Sequence, residues 1–200
     1  MDCMDAMKQF PNGYFDLAIV DPPYGISGSM GTPTRFARYG DIKSLNGTDI
    51  PPDYFNELFR ISQNQIIWGY NHFSDRLPSC KEFIFWYKHQ PIVTYADGEL
   101  AWTSFNRSAR CFDYPYFGAT GRESDKTHPM QKPIALYAWL LNNYAKPGYK
   151  ILDTHVGSGS SLIACYNAGF DYIGFEIDAN YHALATERIN SHTAQLRLID

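Results

Sequence analysis

Ile151-Leu152-Asp153-Thr154-His155-Val156-Gly157-Ser158-Gly159-Ser160-Ser161 is the stretch that decides the fold. Ile151-Leu152-Asp153 reads as a short apolar strand, and Gly157-Ser158-Gly159-Ser160 as a tight turn. Ser161 to Ala168 predicts a helix, ended by Gly169. Tyr172 to Ile177 is the next strand, and Asp178 caps a final helix from about Ala179 to Ser191. Strand, helix, strand, helix at this spacing is a right-handed βαβ unit, which implies a parallel sheet.

The rest of the chain extends that sheet. Residues 1–10 predict a short helix, with Met4 and Met7 on one face, before a turn at Pro11-Asn12-Gly13. Residues 16–20 are a buried strand that ends at Asp21. From Gly25 to about Pro52 no periodicity survives, and a loop of that length inside a compact domain points to a lid or binding loop. Asp53 to Ser62 reads as a helix, with Tyr54, Phe55, Leu58 and Phe59 as its apolar stripe. Strands follow at Gln65 to Trp68, Glu82 to Trp86, Leu100 to Thr103 and Arg110 to Tyr114. Residues 115–131 are irregular and polar. Pro133 opens a helix whose Ile134, Leu136, Tyr137, Leu140 and Leu141 fall at helical spacing, and Lys146-Pro147-Gly148 ends it.

Composition limits the function classes. The chain has 200 residues, 44% of them apolar, enough for one domain with a substantial core. No apolar run approaches the roughly 20 residues that span a bilayer, so no membrane partner is expected. The acidic start, Met1-Asp2-Cys3-Met4-Asp5, does not read as a signal peptide. Cys3, Cys80, Cys111 and Cys165 are scattered, without metal or redox spacing, as reduced thiols of a cytoplasmic protein would be. The net charge, 17 − 21 = −4, argues against binding nucleic acid by bulk phosphate neutralisation. Basic residues nevertheless gather in loop-like segments: Arg35, Arg38, Lys43, Arg107, Arg110, Arg122, Lys126 and Lys132. The aromatic share, 16%, serves a core first, but sites that handle bases use such rings too.

Two motifs carry chemistry. The turn after Asp153 lets backbone approach a ligand closely, and Glu176 ends the next strand, 23 positions later, where an acid can grip ribose hydroxyls. A tight turn with a surface Glu is the plainer alternative. The turn has neither the third glycine of a dinucleotide site nor a Gly-Lys-Ser/Thr, so a nucleoside cofactor without pyrophosphate fits best. The second motif is Asp21-Pro22-Pro23-Tyr24 at a strand's end. The carboxylate and a free carbonyl can accept hydrogen bonds from an amino group, and the ring can stack on a flat heterocycle. Each proline locks φ and donates nothing, and Pro22 biases Asp21 towards an extended backbone. The plainer alternative is a strand cap with Tyr24 packed on the core. Both motifs fall at carboxyl ends of parallel strands, the edge where open α/β sheets bind ligands.

With these residues in hand, the chain resembles the amino-group DNA methyltransferases that use S-adenosylmethionine. It looks like their β-ordered group, in which the Asp-Pro-Pro-Tyr segment precedes the cofactor segment, as in restriction-modification and phage enzymes. The likeness covers nearly the whole chain. It rests on Asp21-Pro22-Pro23-Tyr24-Gly25, on Ile66 to Phe73, on His128-Pro129-Met130-Gln131-Lys132-Pro133, and on Ile151 to Ile189. Asp at the first motif position is similar to adenine-N6 enzymes; Ser there is commoner in cytosine-N4 enzymes, and Asn in protein-glutamine and some RNA enzymes.

The resemblance implies a Rossmann-like fold: a three-layer αβα sandwich, mostly parallel, with a terminal antiparallel hairpin from the 82–114 region. It implies one catalytic domain over residues 1–200, with a short target-recognition insertion at about 102–126. Asp21 and the Pro22 carbonyl would hold the target amine, Pro23 would fix the loop, and Tyr24 would stack on an adenine rotated out of the duplex. Asp153, Gly157 and Gly159 would contact the methionine end of S-adenosylmethionine, Glu176 its ribose and Asp2 its adenine. His155, Ser160 and Lys132 would complete the cofactor side, with no metal. His155 stands where Phe is usual, and Thr154 where Pro is usual; a neutral packed ring is the expectation for His155. Trp68 and Phe73 are expected in the core or pocket wall, Asn71 is a candidate for the cofactor pocket, and Cys165 is expected to be buried. Arg107, Arg110, Arg122 and Lys126 are candidate phosphate contacts, with solvated surface charge as the alternative. DNA is the implied partner, and a homodimer stays open. Another amine acceptor, cytosine N4 or an RNA base, and a subunit that only binds cofactor or DNA also stay open.

Overall fold

A computed structural model describes residues 1–24, 50–92, 95–116, 126–128 and 130–196. Most of the loop expected at 25–52, with Arg35, Arg38 and Lys43, lies outside the described residues, as does Arg122. The elements in chain order are α1 (Cys3–Met7), β1 (Phe15–Val20), α2 (Tyr54–Ile61), β2 (Ser62–Trp68), β3 (Phe83–Tyr87), β4 (Gly98–Thr103), β5 (Arg110–Asp113), α3 (Ile134–Tyr144), β6 (Lys150–Asp153), α4 (Ser160–Asn167), β7 (Asp171–Gly174) and α5 (Ala179–Leu196). Seven strands form one sheet in the order β5-β3-β4-β2-β1-β6-β7.

The period-2 alternation of β1 explains the layers. Leu17 and Ile19 point to one face, where they pack with Leu136, Tyr137, Leu140 and Leu141 of α3 and with Ala164 and Cys165 of α4. Ala18 and Val20 point to the other, where they meet Met7 of α1 and Tyr54, Phe55, Leu58 and Ile61 of α2. A strand buried on both faces must be apolar throughout, which is why Leu17-Ala18-Ile19-Val20 shows no polar alternation.

β1 runs parallel to β2 and β6, and β6 parallel to β7. The carboxyl ends of these four strands therefore share one edge. The antiparallel part differs from expectation in one detail. Hairpin β3–β4 forms, but its antiparallel member, β4, lies inside the sheet between β2 and β3. The terminal strand, β5, runs parallel to β3. A hairpin fixes that two strands are neighbours, not which one faces the rest of the sheet. The consequence is functional: with β4 antiparallel to β2, its first residues, Gly98 and Glu99, sit at the edge where β2 ends. The chain leaves β3 at the same edge, since Tyr87 pairs with Gly98.

Two boundaries also differ. β2 begins at Ser62, directly after α2, because Ser62 Oγ donates to the Leu58 carbonyl (2.5 Å) while its backbone is already extended. β7 stops at Gly174, which leaves Glu176 in the segment beyond the strand.

Candidate active site

Asp21 leaves β1 at the shared edge, and its side chain is mostly enclosed. Lys132 Nζ lies 2.5 Å from Asp21 Oδ2 and 2.9 Å from Glu99 Oε2. Lys88, just after β3, closes an ion pair on Glu99 Oε1. The four charges form a ladder, Asp21–Lys132–Glu99–Lys88. Lys132 is only 5% exposed and its ammonium lies 5.4 Å from the Trp68 ring centroid; Lys88 lies 4.4 Å from that of Trp86. Among the described residues, Asp21 Oδ1 is enclosed without a hydrogen-bond partner.

Charge states follow from this packing. Burial pushes the Asp21 carboxyl upwards, and Glu99 adds to that, while Lys132 and Lys88 oppose it. Burial would lower Lys132, but Asp21 and Glu99 beside it raise it well above the usual lysine value. Burial would raise Glu99, yet Lys132 and Lys88 hold it at about 2. Lys132 is thus a fixed cation between the carboxyl groups of Asp21 and Glu99.

Tyr24 stands beyond the prolines. Its ring stacks on His72 at 4.3 Å between centroids, with planes 11° apart, and meets Phe73 edge-on at 6.1 Å. Gly69, at φ +79°, turns the chain out of β2 so close to Tyr24 that a Cβ there would lie 2.8 Å from the ring. His72 belongs to a single 3-10 turn, Tyr70–His72, that follows Gly69.

The Gly-rich turn lies at the same edge, after β6. Gly159, at φ +80°, starts α4, and a Cβ there would also crowd Ile189 at 3.2 Å. Asp153 accepts the His155 N–H (2.9 Å) and the Ser161 hydroxyl (2.5 Å). Burial still pushes its carboxyl up to about 7. Glu176 accepts from the Gly157 N–H and the Asp178 N–H, both at 2.9 Å. Asp178 in turn accepts from Asn180 and Tyr181 at the start of α5. Asp2 caps α1 through the N–H groups of Met4 and Asp5, and the next residue's Cys3 Sγ is 3.9 Å from His155 Nε2. Burial lowers His155 to about 4, so its ring is neutral, and Nδ1 is 2.9 Å from Thr154 Oγ1. Thr154 Oγ1 is also 2.6 Å from the Tyr54 hydroxyl of α2.

A family model described as DNA methylase, of the N6/N4 methyltransferases, matches residues 53–187. The chain belongs to the N6/N4 DNA methylase family. It is 24% identical over 215 residues to the Escherichia coli (strain K12) protein YubD, across 94% of this chain and 87% of that one. Among solved structures, the M1.HpyAVI–SAM complex superposes with a TM-score of 0.63 at 21% identity, over 95% of this chain and 97% of that chain. PvuII DNA methyltransferase, described as cytosine-N4-specific, gives a TM-score of 0.62 at 12% identity, over 96% and 89%. These two likenesses speak to the fold.

In this methylase the segment leading into α3 is buried: Gln131 and Lys132 are both inside. His128 packs edge-on against Tyr181 at 4.4 Å and lies beside Gly157. Burial lowers His128 to about 4, and its Nδ1 accepts the Met130 N–H at 3.2 Å. Ser160 shares its hydroxyl with Ser158 Oγ (3.1 Å) and receives Arg188 (2.9 Å). Trp68, Phe73 and Cys165 are buried, whereas Asn71 is exposed. Arg107 Nε donates to the fully buried Glu82 (3.1 Å), which also receives the Tyr144 hydroxyl (2.7 Å). Arg110 donates to Asn143 Oδ1 and lies over Trp139. Lys126 lies 5.8 Å from the Tyr116 ring centroid. Sequence reasoning missed Glu99, Lys88, His72 and Tyr54. The first two reach Asp21 only because β4, and not β3, pairs with β2.

Proposed function

We propose that this methylase transfers a methyl group from S-adenosylmethionine to N6 of adenine in DNA. The observation that carries the reading is Asp21: a carboxylate at the carboxyl edge with one oxygen on Lys132, the other enclosed and unpartnered among the described residues. An exocyclic amine is the donor that such an oxygen needs. Asp, where cytosine-N4 enzymes more often carry Ser, favours adenine.

The residues around the turn suit the cofactor. Their charged groups, Asp153, Glu176 and Asp2, match a ligand with an ammonium, a diol and a sulfonium rather than one with phosphates. Asp153, Gly157 and Gly159 would hold its methionine end, Glu176 its ribose and Asp2 its adenine. His155, Ser160 and Lys132 would form the neighbouring wall. S-adenosylmethionine supplies, when bound, a methyl on a sulfonium, which the amine's lone pair takes while the S–C electrons return to sulfur.

The protein's own task is positioning. Asp21 Oδ1 and the Pro22 carbonyl each accept one amine hydrogen, which aims the lone pair away from both. The two prolines stiffen that fork. Tyr24 stacks on the rotated base. As the nitrogen gains positive charge, Asp21 stabilises it electrostatically, then takes the surplus proton on its way to water. The whole chain would form one methyltransferase domain. Target recognition would fall at about 102–126, with Arg122 and Lys126 at phosphates; Arg107 and Arg110, at the opposite edge of the sheet where β4 ends and β5 begins, meet Glu82 and Asn143 instead.

The test is turnover with methyl-labelled S-adenosylmethionine on unmethylated DNA, followed by nucleoside analysis. N6-methyladenine is expected. N4-methylcytosine instead would move the substrate to cytosine, for which the PvuII enzyme is specific. Normal cofactor binding without transfer would reduce the protein to a binding subunit.

A further inference from the structure

The charge ladder does more than neutralise itself. We propose that Glu99 and Lys88 are positioning residues for methyl transfer: acting through Lys132, they keep Oδ1 of Asp21 open to the target amine. The inference rests on the reading that Asp21 receives that amine.

Two carboxyl groups compete for one ammonium. A buried carboxylate beside a lone buried ammonium would close a tight, fully compensated pair, leaving little charge to meet an amine turning cationic. Here Lys132 is divided. Its Nζ donates to Asp21 Oδ2 at 2.5 Å and makes an ion-pair contact with Glu99 Oε2 at 2.9 Å, so one ammonium serves two carboxyl groups. Lys88 balances Glu99 from the far side, and Trp86 and Trp68 line the two ammonium groups. With Lys132 buried and the other three partly so, the ladder carries two groups of each sign. Lys132 is confined to Oδ2, and Oδ1 is left enclosed and unpartnered among the described residues. A carboxylate oxygen kept dry without a donor has a cost of its own. That cost is recovered when an amine arrives.

Glu99 and Lys88 act on Asp21 with opposite signs: Glu99 raises its carboxyl and Lys88 lowers it. The other titratable groups facing Asp21 are Tyr24 on its own segment, Tyr54 of α2, Tyr137 of α3 and Asp153 of β6. None of these changes in the variants below.

The experiment compares kcat/KM against pH for the wild type, Glu99→Gln and Lys88→Met, with S-adenosylmethionine affinity measured alongside. In Glu99→Gln the acid limb is expected about one pH unit lower, and in Lys88→Met about one unit higher. In both, kcat falls by about 10- to 100-fold, while cofactor affinity stays within about twofold. Lys88→Arg restores the wild-type limb, since it keeps the charge. Acid limbs that stay fixed, or move the same way in both variants, overturn the proposal. So does cofactor affinity lost in step with kcat, the mark of a merely structural role. A wild type that binds cofactor but transfers no methyl overturns the reading of Asp21 itself, and this inference with it.

Discussion

Gly69→Ala is the perturbation whose consequence can be worked most directly from the structure. Gly69 sits at φ +79°, where an L side chain costs about 1–2 kcal/mol. Its new Cβ would lie 2.8 and 2.9 Å from Tyr24 Cδ1 and Cε1. Carbon atoms in contact prefer about 3.5–4.0 Å, so the ring must retreat by roughly 0.7–1.2 Å. The ring it displaces is stacked on His72 at 4.3 Å, and Phe73 would itself lie 3.4 Å from the new Cβ. The stacking platform therefore moves by about the amount that costs a positioned reaction about a hundredfold. The variant should melt lower by the cost of the positive φ, bind S-adenosylmethionine within about twofold of wild type, and lose about a hundredfold in kcat/KM for DNA. Thermal melting, cofactor titration and labelled-methyl transfer measure the three quantities. A variant that is destabilised but turns over at the wild-type rate would refute the reasoning, because Tyr24 would then have no part in holding the base.

Three further predictions test other parts of the site. Tyr24→Phe should keep most activity, whereas Tyr24→Ala should lose about 1–3 kcal/mol of stacking, about 5- to 150-fold in kcat/KM; equal losses in both would contradict a role for the ring face. Because burial holds Asp153 at about 7 in the free protein and a cationic ligand favours its carboxylate, S-adenosylmethionine affinity should weaken below pH 7, by about tenfold per unit; a flat titration from pH 5 to 8 would remove Asp153 from the cofactor site. Arg107→Ala strands the buried Glu82 and should cost about 1–3 kcal/mol of stability. If Arg107 also touches a phosphate, the same variant lowers the salt slope of DNA binding by about 1, and an unchanged slope leaves Arg107 as Glu82's partner alone.

The legible part of the molecule is the part built from local periodicity. The unbroken apolar run of β1 is the signature of a strand covered on both faces. The run from Ile151 through the Gly turn to α4 and β7 follows from spacing alone. So does the placement of Asp21, Asp153 and Glu176 at one edge, since parallel strands end together. What local pattern does not carry is pairing across distance. Lys132 meets Asp21 over 111 positions of chain, and a motif assigns it to a neighbourhood, not to an oxygen. Glu99 and Lys88 reach the site only because β4 enters between β2 and β3. An isolated hairpin signal does not choose between that arrangement and an outer edge. His72 meets Tyr24 through a left-handed glycine, a conformation the Trp68-Gly69-Tyr70 sequence permits without dictating. Arg107 reads as a loop charge because its partner, Glu82, looks like any strand-flanking acid until the fold buries it.

The central claim is that Asp21 receives the target amine while others hold the cofactor. Single-turnover methyl transfer to unmethylated DNA by Asp21→Ala, at saturating S-adenosylmethionine, tests it most directly. Transfer should fall by at least about 10²- to 10³-fold, with cofactor affinity within about twofold of wild type. Transfer that persists near the wild-type rate in a variant that binds the cofactor normally would contradict the claim.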